Sequence, residues 1–394
     1  MYPAISDLIN DILGTNISLP VQTYGFFVAM AYLTGTWVLK NEMKIREKWG
    51  QLQGTTKKVL VGAPATVQEL IILGILSFAI GYKFSGMIIE YGTFAANPQD
   101  YLLSLEGSIW GGLVVAAGAV VYRWYSKKKK KLDKPVWEEV EVKPHEQAGT
   151  ILIIAAIFGI LGAKIFHNLE NFDALLEDPV GQIFSFMGLT FYGGLILGSA
   201  AVIFYARRQK IAVLPLIDAS APAIAIAYGV GRLGCHMSGD GCWGVANMNP
   251  KPGWLSWLPD WMWAYDFPHN VISEGVAIDH CTGKYCTILE HPVYPTSFYD
   301  FIIMGLFFIV LLLIRNRIRI PGYMFSILIL FIAVQRFFIE KIRVNNTYDI
   351  GGLQITQAEI ISVILVLLGG LGLWYFRKRH LKIRNRQPKS EDQK

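Results

Sequence analysis

The sequence predicts an all-α fold, a polytopic integral membrane bundle of about nine transmembrane helices. Of the 394 residues, 53% are hydrophobic and only 17% are charged, whereas soluble domains carry about 25% charged residues. The apolar residues gather into runs near the ~20 residues that a helix needs to cross a bilayer core. Lysine and arginine concentrate in alternate connections between these runs. Together these observations indicate a membrane protein rather than a soluble domain.

Nine apolar runs are candidate spans. They cover 22–39, 67–89, 107–125, 149–167, 184–205, 211–230, 296–314, 321–340 and 357–376. Glycine, serine or a single charge interrupts several of them, so eight or ten spans stay open. The first 20 residues show neither the basic start nor the small-residue cleavage site of a signal peptide, and no cleavable leader is expected.

The basic connections set the predicted orientation. They follow the first, third, fifth, seventh and ninth spans, and the other connections are poor in lysine and arginine or balanced by acids. The positive-inside rule therefore predicts an external N-terminus and a cytoplasmic basic tail, 380–394. The five lysines at 127–131 are interpreted as a solvated anchor that touches anionic lipid. The net charge of +6 reflects these loops, and no nucleic-acid partner is expected.

Two segments of the chain resemble each other. The matching positions are Gly81 with Gly162, Lys83 with Lys164, Pro98 with Pro179 and, after a one-residue gap, 111–113 with 193–195. A duplicated membrane hairpin adds two spans and inverts nothing downstream, so 67–125 is predicted to be an inserted hairpin, a duplicate of 149–205. The alternative is that glycine-rich membrane helices look alike by composition. Parallel repeats also occur in transporters, which keeps transport open as a function.

The longest external connection is predicted to be a head loop, 231–295, and it begins with GRLGCHMSGDGCWG. Arg232 lies at the end of the sixth span, where a lone cation is unfavourable unless it meets an anion. A guanidinium binds phosphate with two parallel hydrogen bonds, so a phospholipid head group is a natural partner. The alternative is an arginine that snorkels to the interface.

Three further segments place polar groups at a similar depth. Arg336 and Glu340 lie one helical turn apart on the eighth span, with Arg343 a further turn out. Charged groups on an apolar helix are expected to face the bundle interior or a polar cavity, and the alternative is a structural ion pair. The segments 294–300 and 190–194 bring hydroxyl groups and a carboxylate to the same level. Polar groups from four spans therefore predict a buried pocket.

These segments, in this order, resemble the prolipoprotein diacylglyceryl transferase family. The family signature Gly-Arg-Ile-Gly-Asn-Phe, then Gly-Glu and Trp-Gly, is matched with one conservative acid swap and one inserted residue. The matching residues are Gly231, Arg232, Gly234, Gly239, Asp240, Trp243 and Gly244. The family's His-Gly-Gly, Pro-Ser-Gln-Leu-Tyr-Glu and Arg-Phe-x-x-Glu segments correspond to 192–194, 295–300 and 336–340, and its adjacent arginine to Arg343. The resemblance covers 1–40 and 149–380, so seven family spans and one extra hairpin give nine.

The resemblance implies that 1–394 is a single transferase-like membrane domain. It implies transfer of a diacylglyceryl group from phosphatidylglycerol to the lipobox cysteine thiol of a prolipoprotein, the first step of bacterial lipoprotein maturation. The implied partners are phosphatidylglycerol, the prolipoprotein signal peptide with its lipobox, and membrane lipids. The implied location is the bacterial inner (cytoplasmic) membrane, with the site toward the periplasmic leaflet. No cofactor and no metal is expected.

Site residues follow from the same resemblance. The expected catalytic residues are Asp240, Tyr192, Arg336 and Glu340. The expected substrate-binding residues are Arg232, Arg343, Gly193, Gly194, Tyr299 and His236. Arginines suit a phosphate leaving group that gains charge as the carbon–oxygen bond breaks. A thiol is mostly protonated at pH 7, so a base would help, and Asp240 is the candidate, while Glu340 would orient Arg336.

The chain departs from the family at three positions. Tyr192 stands where the family has histidine, and a phenol is too weak an acid to act as a base at neutral pH. Cys235 stands where the family has asparagine, and could be a packed thiol, a disulfide partner or a competing nucleophile. His236 could replace the missing imidazole, although a histidine this near the interface is more often a surface residue. A second function therefore stays open, a non-catalytic or re-purposed relative that binds lipid or a signal helix.

All four cysteines lie in the head loop, which favours disulfide bonds in an oxidising compartment. The candidates are Cys235, Cys242, Cys281 and Cys286, and sequence alone allows three pairings. The favoured pairing is Cys281–Cys286, which closes the turn 282–285. Cys235–Cys242 would then brace the segment that carries the family signature, 231–244, called the signature loop below. The alternative is a zinc site with His236, His280 or His291, against which stands the lack of a tight Cys-x-x-Cys spacing. Four tryptophans at 254–263 are expected to rest on the membrane interface.

Overall fold

The computed structural model describes 1–96, 101–102, 104–184, 188, 190–281, 283–345, 347–350 and 353–386. Pro98 of the sequence repeat, Thr282 of the disulfide turn and the last eight residues of the basic tail lie outside the described residues. Within them, helices dominate, and the strands are confined to three two-stranded ribbons. The predicted all-α membrane fold is confirmed.

Thirteen α-helices lie in the described part of the chain. They are α1 (Ile5–Leu13), α2 (Thr23–Lys48), α3 (Val67–Ile89), α4 (Tyr91–Ala96), α5 (Ile109–Lys129), α6 (Ala148–Glu170), α7 (Phe172–Glu177), α8 (Pro179–Phe184), α9 (Phe191–Arg208), α10 (Val213–Ser238), α11 (Thr296–Ile314), α12 (Tyr323–Glu340) and α13 (Gln357–Arg386). Nine of these are long and coincide with the nine candidate spans. Six of the nine, namely α3, α6, α10, α11, α12 and α13, are long and apolar enough to cross a membrane. In α2, α5 and α9, charged residues continue the helix past its apolar part.

The centre of the bundle is α10, which packs against α2 on one side and against α11 and α12 on the other. Small side chains allow these helices to approach closely: a methyl group on Gly35 of α2 would lie 3.4 Å from the Cβ atom of Ala227. Ala219 and Ala223 join one buried cluster with α2, and Ala221 joins a second cluster with α11 and α12. Small residues are the usual contacts between membrane helices, because dispersion rather than hydrophobic burial holds such helices together.

Two helical hairpins, α3–α5 and α6–α9, have the same layout. The first helix of each has 23 residues, and a helix of 6 residues follows it after one residue. The second helix begins after a serine or threonine whose backbone N–H donates to the first helix, Ser108 to Tyr82 at 2.9 Å and Thr190 to Ala163 at 3.1 Å. A Cβ atom on Gly162 would lie 2.3 Å from the carbonyl oxygen of Gly193. The matching glycines of α3 and α5 also meet at their crossing point.

A β-ribbon links the α3–α5 hairpin to the rest of the chain. Strand β1 (Thr55–Val61) pairs antiparallel with β2 (Val136–Val142), with Thr55 opposite Val142 and Val61 opposite Val136. Basic side chains on β1 face acidic ones on β2, and Lys58 Nζ lies 3.7 Å from a carboxylate oxygen of Glu139. The sequence predicts these segments only as connections between spans, because short exposed strands have no apolar run to mark them.

The head loop packs around its own small core. This core contains Trp243, Phe267, Leu289 and Val293, and two short strands, β3 (Val276–Ala277) and β4 (Thr287–Ile288), pair beside it. The third ribbon, β5 (Thr347–Ile350) with β6 (Leu353–Thr356), precedes α13. Trp254 and Trp257 are each about three-quarters exposed. The head therefore has its own aromatic core, and two tryptophans stay outside that core.

Candidate anion and thiol site

Arg232 is fixed by groups from three helices. It lies near the end of α10, and its Nε lies 3.2 Å from a carboxylate oxygen of Asp300, which is fully buried on α11. The amide nitrogen of Gln335 on α12 donates to the other oxygen of Asp300. Arg232 also donates to the hydroxyl oxygen of Tyr228 at 3.2 Å. The guanidinium is therefore held by a buried carboxylate and does not snorkel freely.

Arg336 and Glu340 form the ion pair that their spacing predicts. One Nη of Arg336 lies 2.7 Å from Oε2 of Glu340, whose side chain is only 1% exposed. The other carboxylate oxygen of Glu340 accepts a hydrogen bond of 2.6 Å from the side-chain amide of Asn345. Both oxygens of Glu340 are thus directed at fixed groups, which sets the orientation of Arg336.

The signature loop lies between the start of α11 and the end of α12. The backbone N–H of Gly244 donates to the carbonyl oxygen of Tyr294 at 2.8 Å, and Gly244 bridges to Arg343. A Cβ atom on Gly244 would lie 2.3 Å from the carbonyl oxygen of Ile342. Only glycine fits this close approach of two backbones. The loop thereby brings Arg343 into the same region as Arg232 and Arg336.

Three guanidinium groups converge on one buried carboxylate. Arg232, Arg343 and Arg336 all attract Asp300 electrostatically. Among the described residues, Nη1 of Arg336 and both Nε and Nη1 of Arg343 are buried without a hydrogen-bond partner. A buried charged donor without a partner is unfavourable, and such groups are rare unless a ligand or water completes them. The arrangement is that of an anion-binding site.

Tyr192 faces the Arg336–Glu340 pair. It is the second residue of α9, is half-buried, and interacts electrostatically with both members of the pair. Three of the segments that the sequence places at one level, those on α9, α10 and α12, therefore meet in space. The phenol therefore lies within electrostatic range of this pair.

The two glycines after Tyr192 have a packing contact. A Cβ atom on Gly193 would lie 2.4 Å from the carbonyl oxygen of Gly162, and one on Gly194 would lie 2.8 Å from that of Gly159. Both glycines face α6 at the crossing of the two helices. The structure thus assigns them to helix contact, and the substrate contact that the resemblance implies stays a prediction.

His236 and Tyr299 both contact the head, and the substrate contact that the resemblance implies stays a prediction for each. His236 is buried, and its ring centroid lies 5.3–6.0 Å from those of four aromatic residues, Trp261, Tyr265, Phe267 and Phe298. The expectation of a surface histidine is wrong, because the last turn of α10 enters the aromatic core of the head. The hydroxyl of Tyr299 donates to the carbonyl oxygen of Met262 at 2.8 Å, which ties α11 to the head.

Asp240 lies beside two thiols. One carboxylate oxygen of Asp240 and the sulfur atoms of Cys235 and Cys242 lie within 4.8 Å of one another. The carboxylate also accepts the backbone N–H of Cys242 at 3.1 Å. A hydrogen bond from the Cys235 thiol, with help from Arg232 and Arg343, lowers the pKa of the Cys242 thiol.

The cysteines of the head behave as two different pairs. Cys281 and Cys286 form a disulfide bond, as expected. Cys235 and Cys242 are free thiols, so the second expected bond is not formed in the structure. The cluster of metal-binding side chains among the described residues contains Cys235, Asp240 and Cys242 and no histidine. The described residues thus hold no ligand cluster of the kind that the zinc alternative with His236, His280 or His291 requires.

Two residues of the site escaped sequence analysis. Tyr24, at the start of α2, interacts electrostatically with Arg232 and Asp240. It is brought there because α2 crosses α10 at Gly234, where a Cβ atom would lie 2.7 Å from the Cβ atom of Phe27. Gln335 holds Asp300 from the middle of an apolar helix. In both cases the only sequence signal is one polar side chain on an apolar helix.

A cavity of about 820 Å³ lies elsewhere, between the N-terminal segment and the disulfide turn. Asp7, Asp11, Asp279 and Lys284 are among its lining residues, and the arginines of the anion site are not. The anion site is therefore defined by convergent charged groups on helix ends rather than by this cavity.

Comparison with known proteins agrees with this geometry. The family model described as prolipoprotein diacylglyceryl transferase matches residues 109–375. Three similar curated relatives carry the name phosphatidylglycerol–prolipoprotein diacylglyceryl transferase. The protein of Corynebacterium glutamicum is 28% identical over 58% of this chain and 68% of its own length. That of Aeromonas hydrophila is 26% identical over 72% of this chain and 91% of its own.

The third relative, from Thermus thermophilus, is 26% identical over 66% of this chain and 91% of its own length. The matched region 109–375 contains Arg232, Asp240, Arg336 and Arg343, and thus the whole arginine cluster. It covers more than half of the 394 residues. The chain belongs to the prolipoprotein diacylglyceryl transferase family.

Proposed function

We propose that the protein transfers a diacylglyceryl group from phosphatidylglycerol to the cysteine thiol in the lipobox of a prolipoprotein. The observation that carries this proposal is the set of buried, unpartnered N–H groups on Arg336 and Arg343 beside Arg232. A phosphate diester is an anion that can accept all of them. The names of the curated relatives give the substrate class.

The reaction is a displacement at the glyceryl carbon that carries the phosphate. The thiolate sulfur attacks this carbon, the carbon–oxygen bond breaks, and glycerol phosphate leaves with the bonding electrons. The thiolate rather than the thiol is the nucleophile. Asp240, next to the signature loop glycines, is the carboxylate available to receive the thiol proton. Its carboxylate is half-buried, and it lies close to both free cysteines.

The arginines stabilise the leaving group. Negative charge on the bridging oxygen grows as the bond breaks, and donors fixed in advance favour that charge without reorganisation. Asp300 fixes Arg232 and Glu340 fixes Arg336, each from a buried position. Arg343 contributes donors that no described residue occupies. Arg232 and Arg336 are oriented by carboxylates, and Arg343 offers donors to the ligand. This combination suits a phosphate that binds and then leaves as a product.

Tyr192 takes the place of a family histidine in this reaction. A phenol has an ordinary pKa near 10 and stays protonated at neutral pH. It can therefore donate a hydrogen bond to the phosphate but cannot take the thiol proton. Its position beside Arg336 and Glu340 supports the role of a donor.

The proposed setting is the bacterial inner membrane, with the site toward the periplasmic leaflet. Phosphatidylglycerol and the signal helix of the prolipoprotein then both arrive laterally through the bilayer. The alternation of basic connections supports an external N-terminus. Reporter fusions after residue 131 and at residue 394 should both read cytoplasmic, and a periplasmic reading from either would contradict this orientation.

The inserted hairpin is proposed to be a duplicate of the α6–α9 hairpin. The equal helix lengths, the equivalent hydrogen bonds of Ser108 and Thr190 and the matching glycine crossings support this origin. The copy carries Trp110 where α9 carries Tyr192, and Trp110 is 78% exposed. The copy is therefore proposed to take no part in catalysis.

The test is transfer to a lipobox peptide in detergent with phosphatidylglycerol, read as a mass increase of the peptide. Arg336→Ala and Arg232→Ala should each lower the rate by about 10²- to 10³-fold, the usual loss for one donor to developing charge. Arg208→Ala, at the end of α9, is the matched control and should transfer at the parent rate. Parent-like transfer by both site variants would favour a lipid- or signal-helix-binding relative.

A further inference from the structure

Three metal-binding side chains meet at the edge of the anion site. The sulfur atoms of Cys235 and Cys242 and a carboxylate oxygen of Asp240 all lie within 4.8 Å of one another. A tetrahedral zinc ion with bonds of about 2.3 Å to sulfur and about 2.0 Å to oxygen sets its ligands roughly 3.5–3.8 Å apart. A contraction of at most about 1.3 Å between any two of these atoms would therefore complete the ligand geometry.

The backbone holds these three side chains together. Cys235 is buried on the last turn of α10, which ends in the left-handed conformation at Gly239, with φ +65°. Gly241, with φ +86°, turns the chain back so that Cys242 returns to Cys235. Glycine alone adopts these angles without strain.

Other hydrogen bonds fix the ligands from outside. The carboxylate of Asp240 accepts the backbone N–H of Cys242, and the hydroxyl of Thr296 donates to the carbonyl oxygen of Cys242 at 2.9 Å. Metal ligands are usually oriented by such surrounding hydrogen bonds. The three ligands therefore rest on α10, on the signature loop and on the first turn of α11.

The ligand chemistry selects zinc. Two thiolates favour a soft or borderline ion, and a single carboxylate is compatible with it. Three protein ligands with a fourth position free is the pattern of catalytic zinc, whereas structural zinc has four protein ligands. Two thiolates and a carboxylate carry three negative charges, so a divalent ion leaves one. Arg232, which interacts electrostatically with both sulfurs, balances that charge.

The two cysteine pairs of the head differ, as zinc binding by Cys235 and Cys242 requires. Cys281 and Cys286 are joined in a disulfide bond and need no further partner. Cys235 and Cys242 stay separate, with the carboxylate of Asp240 within reach of both sulfurs. A disulfide would use the two sulfurs and leave the carboxylate outside, whereas a metal ion uses all three groups.

We propose that Cys235, Cys242 and Asp240 bind a zinc ion whose fourth position takes the acceptor cysteine of the substrate as a thiolate. The proposal rests on the transferase function proposed above. The acceptor thiol loses its proton to water on binding, and its sulfur forms the bond to the glyceryl carbon. The carbon–oxygen bond breaks toward the phosphate, and the zinc ion is unchanged. Asp240 then acts as a ligand, and the ion takes over the activation of the thiol.

Metal content of the purified protein tests the site directly. Protein prepared in detergent without chelator should contain one zinc ion per chain, and Cys235→Ser and Cys242→Ser should each lose it. His280→Ala, at the position of the rival ligand, should retain it. Cobalt exchanged into the parent protein should give a thiolate-to-cobalt charge-transfer band in the near ultraviolet, which needs no variant to fold.

Three results would overturn the proposal. They are parent protein without zinc or cobalt binding, zinc retained in both serine variants, and a Cys235–Cys242 disulfide found by mass spectrometry after thiol blocking. The two proposals fail separately. Transfer at the parent rate by chelated, metal-free protein would reject the activation of the acceptor thiol by zinc and leave the transferase intact. Stoichiometric zinc in a protein that never modifies the lipobox peptide would keep the site and reject the transferase.

Discussion

Two buried clusters of charge lie in this bundle, and they are built in different ways. In the first, Glu42 of α2 pairs with Arg46 at 2.7 Å and with Arg315, using both carboxylate oxygens. Glu42 is 1% exposed and Arg46 is 2% exposed. In the second, three arginines attract Asp300 and one of them, Arg336, also pairs with Glu340, and donors of Arg336 and Arg343 have no partner among the described residues.

The difference separates a structural cluster from a binding cluster. Glu42 and the nearby Asp218, which also attracts Arg46, balance the charges of Arg46 and Arg315. One N–H of Arg315 is left over in that cluster. In the arginine site three guanidiniums meet two carboxylates, and three donor atoms of Arg336 and Arg343 are buried without a partner among the described residues. The balanced charges of the first cluster suit a structural role, and the buried donors of the second are those that the proposed function assigns to a phosphate.

The largest expected effect tests the structural cluster. Glu42→Gln removes the charge that Arg46 and Arg315 share and leaves two guanidiniums poorly compensated. Breaking a buried ion pair in this way costs about 3–5 kcal/mol of stability. Denaturant unfolding in detergent micelles should show a loss of that size, while transfer per folded molecule should stay near the parent value.

Glu139→Gln is the matched control for Glu42→Gln. Glu139 pairs with Lys58 across the β1–β2 ribbon, where the side chains are 63% and 72% exposed. Exposed ion pairs contribute about 0–1 kcal/mol, so this variant should unfold close to the parent midpoint. Equal unfolding of the two variants would remove the distinction between the clusters.

The second prediction concerns Arg343, whose unpartnered donors mark the binding cluster. Arg343→Ala should leave stability unchanged or slightly raised, because it removes buried donors that have no partner in the described structure. It should lower the transfer rate, since each charged hydrogen bond to the phosphate is worth about 1.5–3 kcal/mol. Arg343→Lys should restore only part of the rate, because a point charge lacks the planar fork.

Stability and rate are measured on the same preparations, with Arg208→Ala as the control for loss of one exposed arginine. A variant of Arg343 that unfolds as early as Glu42→Gln, with unchanged transfer per folded molecule, would place Arg343 in a structural cluster. The distinction between a structural cluster around Glu42 and a binding cluster around Asp300 would then be wrong.

Sequence analysis found the helices because each long apolar run is a local feature. The nine runs coincide with nine long helices, although α2 and α5 run on through charged residues to Lys48 and Lys129. The Arg336–Glu340 pair was predictable for the same reason, since residues four apart share a helix face. The β1–β2 ribbon was not, because it joins segments about 80 residues apart and has no apolar pattern.

Contacts across the bundle explain what the sequence left undetermined at the site. His236 is buried because three aromatic rings of the head and Phe298 of α11 cover the end of α10, which no local pattern shows. The pairing of Asp300 with Gln335 and Arg232 joins three helices. The resemblance to the family supplied roles for the arginines but could not show that Cys242, next to an inserted residue, returns to Cys235.

The third prediction tests how firmly Arg232 must be held. Gln335→Leu removes the amide that donates to Asp300 and leaves the Arg232–Asp300 pair in place. Loss of one hydrogen bond to a charged group is worth roughly 1.5–3 kcal/mol, and here it should appear as slower transfer with phosphatidylglycerol binding retained. Val334→Ala, on the exposed face of the same helix, is the control. Equal loss of lipid binding and of rate would show that Gln335 supports the whole fold rather than one arginine.

The smallest expected effect compares the two hairpins directly. Tyr192 on α9 interacts electrostatically with Arg336 and Glu340. Trp110 on α5, which the proposed duplication matches to Tyr192, has 78% of its surface exposed. Tyr192→Phe removes one neutral hydrogen-bond donor to the phosphate, worth about 0.5–1.5 kcal/mol, so transfer should fall only a few-fold. Trp110→Phe should change nothing, because this side chain is mostly exposed and lies on the hairpin that is proposed to take no part in catalysis. A loss for Tyr192→Phe of about 10²-fold or more, the usual effect of removing a general base, would place the phenol on the proton path. A loss for Trp110→Phe would give the inserted hairpin a part in the reaction. Both hairpins would then contribute to the transfer rate, and only the size of the contribution would differ.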